Sequence, residues 1–138
     1  MTAIKPAFEK VMVIDDTAID MYISLRILSK NHFVNNPLEY NNAIDALQYL
    51  QDNQHISSML PDIIFIDIYM PLMSGFEFME AYEKLHDTLK NKCRVFIISS
   101  TSDARDIARI ESDKNVTAFN QKPITNEFLQ QIINGYHP

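Results

Sequence analysis

The sequence predicts an α/β domain built on an open, doubly wound five-stranded parallel sheet with helices on both faces. Three observations carry that expectation. Val11-Met12-Val13-Ile14, Ile63-Ile64-Phe65-Ile66 and Val95-Phe96-Ile97-Ile98 are apolar from end to end, as strands buried on both faces must be. Segments with apolar residues at helical spacing separate them. Strand and helix patterns alternate along the chain, which favours parallel pairing through helical crossovers, nearly always right-handed. The 138 residues suffice for one domain with a substantial core, so a single domain over 1–138 is expected, with its core from about residue 9 to 136.

The elements follow in order. Val11 to Ile14 is the first strand, and it stops at Asp15-Asp16. Ile19, Ile23 and Ile27, spaced by four and accompanied by Tyr22 and Leu28, predict a first helix with these residues on its buried stripe. The stretch from His32 to Tyr40 is weaker. Phe33-Val34 and Leu38-Glu39-Tyr40 suit an irregular strand, and Pro37, which has no N–H for a ladder, puts it at a sheet edge. Ala43, Ala46, Leu47 and Leu50 mark a second helix. Pro61 opens the clearest strand, which again ends on an aspartate, Asp67. After a loop at Met70 to Met73, Ser74-Gly75-Phe76-Glu77 fits a capping box, and Phe78, Tyr82, Leu85 and Leu89 give one continuous third helix its buried face. The fourth strand ends at Ser99-Ser100-Thr101-Ser102, before a polar helix near Asp103 to Ser112 with only Ala104, Ile107, Ala108 and Ile110 to bury. A shorter fifth strand, Val116 to Gln121, leads to Lys122-Pro123, and Phe128, Leu129, Ile132 and Ile133 form the inner face of a last helix.

Composition excludes several classes of function. A net charge of −6 supplies no general attraction to phosphate backbones or anionic membranes, so no nucleic-acid partner is expected. Lys90, Lys92 and Arg94 form a loose basic group that reads as a solvated surface loop. No run approaches the ~20 apolar residues needed to cross a bilayer. Met1 to Lys10 has no apolar stretch of the kind found in signal peptides. These features predict a cytoplasmic protein with no membrane insertion. Cys93 is the single cysteine, so no internal disulfide can form, and it reads as a small buried hydrophobe.

The chemistry lies where the strands stop. The carboxyl ends of all strands in a parallel sheet share one edge, and ligands bind there. Asp15-Asp16, Asp67, Ser99 and Lys122 should therefore converge although they are far apart in sequence. Clustered carboxylates repel one another and invite a divalent cation. An all-oxygen set suits a hard ion such as Mg²⁺ better than zinc, which wants histidine or cysteine. A lysine and a hydroxyl beside such carboxylates suit phosphoryl oxygens, and a carboxylate is itself a nucleophile toward phosphorus. Asp15 and Asp16 can share one ion only if the chain turns between them, because neighbours in a strand face opposite ways. Each residue also has a bland reading when taken alone. Asp16 is equally suited to capping the helix near Thr17, Ser99 reads as a turn residue and Lys122 as surface charge. Asp67 is harder to dismiss, since a carboxylate closing an apolar run needs partners. All of these coincidences would have to hold together.

These residues resemble a known family. Val11-Met12-Val13-Ile14-Asp15-Asp16 is similar to the opening of response-regulator receiver domains of the CheY-like superfamily. Ile63-Ile64-Phe65-Ile66-Asp67-Ile68-Tyr69-Met70-Pro71, with Gly75 beyond it, resembles their phosphoacceptor segment. Phe96-Ile97-Ile98-Ser99-Ser100 and Phe119-Asn120-Gln121-Lys122-Pro123 resemble the hydroxyl and lysine–proline segments. The resemblance implies a single-domain receiver with a flavodoxin-like (βα)5 fold and strand order 2-1-3-4-5. It implies Asp67 as phosphoacceptor, with Mg²⁺ held by Asp16, Asp67 and the backbone carbonyl of Tyr69, and with Asp15 acting mainly through bound water. Lys122 and Ser99 would contact the phosphoryl group, Phe119 would be the aromatic switch, and the Lys122–Pro123 bond would be cis. The phosphoryl donor would be a sensor histidine kinase or a histidine phosphotransfer protein. The output would be a protein–protein contact at the surface of the fourth helix, fifth strand and fifth helix, with an unidentified target. Such a protein is a signalling switch in a two-component system or phosphorelay, not an enzyme with a separate substrate, and its own activity is limited to self-phosphorylation and self-dephosphorylation.

Some positions depart from the family pattern. Phe119 stands where tyrosine is more usual, Ser99 where threonine is, and Asn41-Asn42-Ala43 where the turn usually has glycine. Asn tolerates left-handed geometry. Two other readings stay open. One is a receiver-shaped interaction scaffold that works without phosphorylation. The other is an aspartyl-phosphate phosphatase resembling haloacid dehalogenases, although those want a second acid where Tyr69 stands and usually a cap domain. In receivers, the positions of Tyr69 and Thr101 flank the path of the hydrolytic water, so a bulky Tyr69 should slow self-dephosphorylation. Replacing Tyr69 with Ala should shorten the lifetime of the aspartyl-phosphate, followed by phosphate release; an unchanged lifetime would refute the idea.

Overall fold

The computed structural model describes residues 4–136. Its elements run β1 (Val11–Ile14), α1 (Ala18–Lys30), β2 (Leu38–Tyr40), α2 (Ala43–Asn53), a 3₁₀ turn (Ser57–Met59), β3 (Ile63–Ile66), α3 (Gly75–Glu83), α4 (Asp87–Lys92), β4 (Arg94–Ser99), α5 (Ala104–Glu111), β5 (Val116–Gln121) and α6 (Asn126–Ile133). The five strands form one sheet in the order β2-β1-β3-β4-β5, and every pair is parallel. This is the flavodoxin-like (βα)5 arrangement expected from the sequence.

Side chains in a strand alternate between faces, so each apolar strand feeds two cores. Met12, Ile14, Ile64, Ile66, Val95 and Ile97 point to one face and pack with α2, α3 and α4. Val11, Val13, Ile63, Phe65, Phe96 and Ile98 point to the other and pack with α1 and α6. The continuous hydrophobicity of the three central strands thus reflects a sheet covered on both sides. Leu38–Tyr40 pairs only with β1 and lies at the sheet edge, just after Pro37. Phe33 and Val34 are buried but lie outside the strand.

The structure corrects several expectations. On α1, Ile19 and Tyr22 are 70% and 60% exposed, and Ile23 is exposed too. Its inner face is made by Leu28 together with the partly buried Met21, Leu25 and Ile27. The four-residue spacing of isoleucines was a real period on the wrong face, because Met21, Leu25 and Leu28 form a second apolar stripe that meets the sheet. The single third helix is two helices. α3 ends at Glu83, and α4 starts afresh where the His86 ring accepts a hydrogen bond from the Thr88 N–H (3.1 Å). Leu85 and Leu89 still reach the core, which is why the pattern looked continuous. Lys90, Lys92 and Arg94 belong to α4 and β4 rather than to a solvated loop, and Lys92 pairs with Asp62 at 3.0 Å. β5 is as long as β4, and Ile110 is the buried residue of α5, whose Ala104 and Ala108 are exposed. Asn42 has φ −154° and caps α2 by accepting from the Asp45 N–H (2.8 Å), so its role is capping rather than left-handed geometry. Cys93 is buried, and that burial pushes its thiol up to about 12.

Leu50 is fully buried between α2 and the sheet. Leu50→Ala should lower unfolding free energy by about 2–5 kcal/mol, read as a reduced urea midpoint with an unchanged slope.

Candidate functional site: an acidic sheet edge gripped by one lysine

The site grows from the carboxyl ends of the strands. The ladders continue one residue past the strands: the Asp15 N–H donates to Tyr40 O (3.0 Å) and the Asp67 N–H to Ile14 O (3.2 Å). These bonds hold the two aspartates side by side at the top of the sheet. Past Ile14 the chain turns sharply. The Asp15 carboxylate accepts from the Thr17 N–H (3.0 Å) and the Thr17 hydroxyl (3.1 Å), an Asx turn that leads into α1. This turn supplies the bend that Asp15 and Asp16 need. Carboxylate oxygens of Asp15, Asp16 and Asp67 lie within 4.8 Å of one another.

Asp16 does not cap the helix. The cap residue is Thr17, and the N–H bonds at this turn go to Asp15. Asp16 Oδ1 is buried without a hydrogen-bond partner. An orphaned carboxylate oxygen beside two further carboxylates is costly unless a cation meets it. The oxygen-only donor set fits Mg²⁺.

Lys122 answers the acidic cluster. It follows β5, its backbone N–H donates to Ser99 O (2.9 Å), and its peptide bond to Pro123 is cis. Its ammonium contacts Asp15 Oδ2 (2.9 Å), Asp67 Oδ2 (3.0 Å) and Asp20 Oδ2 (2.8 Å). Burial works to lower the pKa of Lys122, but hydrogen bonds to Asp20, Asp15 and Asp67 prevail and hold it above the ordinary value. Asp67 is shifted upward. Burial raises it, and Asp15 adds repulsion, against the opposing pull of Lys122 and the Ile68 N–H, which donates to Asp67 Oδ1 at 2.7 Å.

The loop after Asp67 is shaped by Gly75 and the capping box. A Cβ on Gly75 would stand 2.6 Å from Asp67 O and 2.8 Å from Ile68 Cα, so only glycine lets α3 start against the Asp67–Ile68 backbone. The Gly75 N–H donates to Ile68 O (2.6 Å). Ser74 Oγ accepts from the Glu77 N–H (3.1 Å), and Glu77 returns a bond to the Ser74 N–H (3.0 Å), as the sequence motif predicts.

Ser99 ends β4 and is 1% exposed. Ile66 pairs with Ile97, so Ser99 lies beside the segment that follows β3, and its hydroxyl accepts from the Thr101 N–H (3.3 Å). Phe119 sits opposite Ile97 on β5, half-buried against the same core. Tyr69 is exposed, and its hydroxyl donates to Asp106, which also accepts from the Thr101 hydroxyl (2.9 Å).

Two participants were missed at the level of sequence. Asp20 lies one helical turn after Asp16, a spacing that could have marked it, but its partner is 102 residues away. Asp106 lies half-buried in the first turn of α5, where an acid in the sequence ordinarily signals nothing but solvation or a favourable helix start.

Comparison with known proteins agrees with this geometry. A family model described as the response regulator receiver domain matches residues 11–134. A two-component response regulator from Cytophaga hutchinsonii is 29% identical, with a TM-score of 0.84 over 92% of this chain and 95% of that one. A response regulator receiver protein from Dyadobacter fermentans is 27% identical, with a TM-score of 0.80 over 91% and 95% of the two chains. A sensor histidine kinase CheAY from Helicobacter pylori is 28% identical over 123 residues, which make up 89% of this chain but only 14% of that protein. No helix among the described residues is long and apolar enough to cross a membrane. The family match runs through every strand and reaches each residue at the acidic edge, and the chain belongs to the response regulator receiver domain family.

Proposed function

We propose that this protein is a phosphorylation switch that accepts a phosphoryl group on Asp67 from a histidine kinase or a histidine phosphotransfer protein. The observation that carries this is the Asp67 carboxylate, set against Asp15 and Asp16 and bonded to Lys122 at 3.0 Å. One Asp67 oxygen is held by the Ile68 N–H and the other by Lys122, and each keeps a further lone pair. An Asp67 oxygen forms the new P–O bond as the P–N bond of a phosphohistidine breaks, and the departing electron pair returns to the imidazole nitrogen. Lys122 holds positive charge against the incoming phosphoryl oxygens. The Ser99 hydroxyl supplies a donor from the neighbouring strand. Mg²⁺ held by Asp16, Asp67 and the Tyr69 carbonyl, with Asp15 acting through bound water, would neutralise further phosphoryl charge. The protein then acts as a switch rather than by turning over a substrate. Ser99 and Phe119 shift toward the modified site and alter the surface of α5, β5 and α6, which a protein target reads. We place this relay in the cytoplasm, where phosphohistidine donors are made.

Incubation with Mg²⁺ and acetyl phosphate should add one phosphoryl group, detected by mass, and Asp67→Asn should abolish the adduct. No adduct on the wild type, or an equal one on Asp67→Asn, overturns the assignment. Asp16→Asn should weaken Mg²⁺ binding by about tenfold or more in calorimetry, because it removes a charged oxygen ligand.

A further inference from the structure

We infer that Asp20 is a positioning residue for the phosphoryl transfer, an anchor that keeps the Lys122 ammonium aimed at the site while its other two partners are engaged elsewhere. The inference rests on the phosphoacceptor reading of Asp67. A lysine ammonium has three N–H donors. In this structure Asp20 and Asp67 accept hydrogen bonds from it at 2.8 and 3.0 Å, and Asp15 Oδ2 forms an ion pair with it at 2.9 Å. Asp15 and Asp67 also belong to the group whose oxygens face Asp16 within 4.8 Å, whereas Asp20 does not. A cation drawn to that group competes with Lys122 for Asp15 and Asp67, and a phosphoryl group on Asp67 changes its charge and shape. Asp20 alone of the three is left unaltered.

The surroundings of Lys122 make this anchor necessary. Its side chain is 15% exposed, so water offers limited compensation for a lost partner. Behind it, a cavity of about 230 Å³ separates α1 from the segment after β5. Besides Asp20 and Lys122 the cavity is lined by Ile23, Ile98, Pro123 and Ile124, which offer an ammonium no side-chain acceptor, and by the neutral hydroxyl of Ser24, so Asp20 is the one charged acceptor on that side. Asp20 stands at its edge, on the first turn of α1, where the helix N-terminus favours an anion. Lys122, with Thr17, holds the Asp20 carboxyl below its ordinary range. One N–H can thus stay on Asp20 while another turns to a phosphoryl oxygen, with the lysine already oriented.

The test compares wild type, Asp20→Ala and Asp20→Asn, each also in a Lys122→Ala background, with acetyl phosphate and Mg²⁺. Asp20→Ala should slow phosphorylation of Asp67 about tenfold. Asp20→Asn, which keeps an acceptor but loses the charge, should fall between Ala and wild type. In the Lys122→Ala background Asp20→Ala should slow the reaction no further, since a residue that works through Lys122 has nothing left to position. The ¹⁵N signal of the Lys122 ammonium should broaden or shift in Asp20→Ala, while backbone amide spectra confirm an intact fold. If Asp20→Ala does not fold, the same comparison is read on Asp20→Asn. A wild-type or faster rate in the variant, or equal slowing with and without Lys122, overturns the inference. Failure of the wild type itself to take up phosphate would instead defeat the phosphoacceptor reading.

Discussion

The site depends on one ammonium group. Lys122 joins the turn after β1, the first turn of α1 and the end of β3, reaching partners 55 and 102 residues away along the chain. Without it, Asp15, Asp16, Asp20 and Asp67 would crowd negative charge into a partly buried space with nothing to offset it. With it, the cluster is tolerable but still carries an excess of negative charge. That excess is compatible with a second cation, and the partnerless oxygen of Asp16 belongs to the same group of carboxylates.

The sheet makes this grip accurate. The central strands β1, β3 and β4 are buried on both faces, and their registers place Ile14 beside Ile66 and Ile66 beside Ile97. The residues that follow these positions are therefore set by close-packed neighbours rather than by loop conformation. Gly75 extends the same precision to the far side of Asp67, because α3 begins within contact distance of the Asp67 carbonyl. A rigid scaffold under short, polar strand ends is what a group-transfer site requires.

The two sides of the site differ in how firmly they are held. On the side of α1 and α6, Phe128, Leu129 and Ile132 are buried against Phe96 and Ile98. On the other side, α5 buries only Ile110, and β5 is half-buried from Val116 to Asn120 and exposed at Gln121. The site-facing end of α5 is tied down by polar contacts, with Tyr69 and Thr101 both meeting Asp106. α5 thus rests on one buried apolar residue and on these polar contacts.

The sequence by itself determined the fold class, because unbroken apolar strands admit few arrangements other than a sheet covered on both faces, and helical periods between them demand crossovers. It also determined that Asp15, Asp16, Asp67, Ser99 and Lys122 gather at one edge, since a polar group that ends a buried strand must emerge at the common edge. The Ser74–Glu77 capping box was legible for the same reason: its partners are three residues apart. What needed distance in space stayed hidden. α1 carries two apolar stripes, and only the docking against β1 decided that Met21, Leu25 and Leu28 face inward while Ile19 and Tyr22 face out. The break between α3 and α4 left the apolar period intact and so made no mark on the pattern. Asp20 and Asp106 look like ordinary solvated acids in the sequence; the tertiary structure alone brings them to Lys122 and to Tyr69 with Thr101, because a charged side chain takes its role from what the fold sets opposite it.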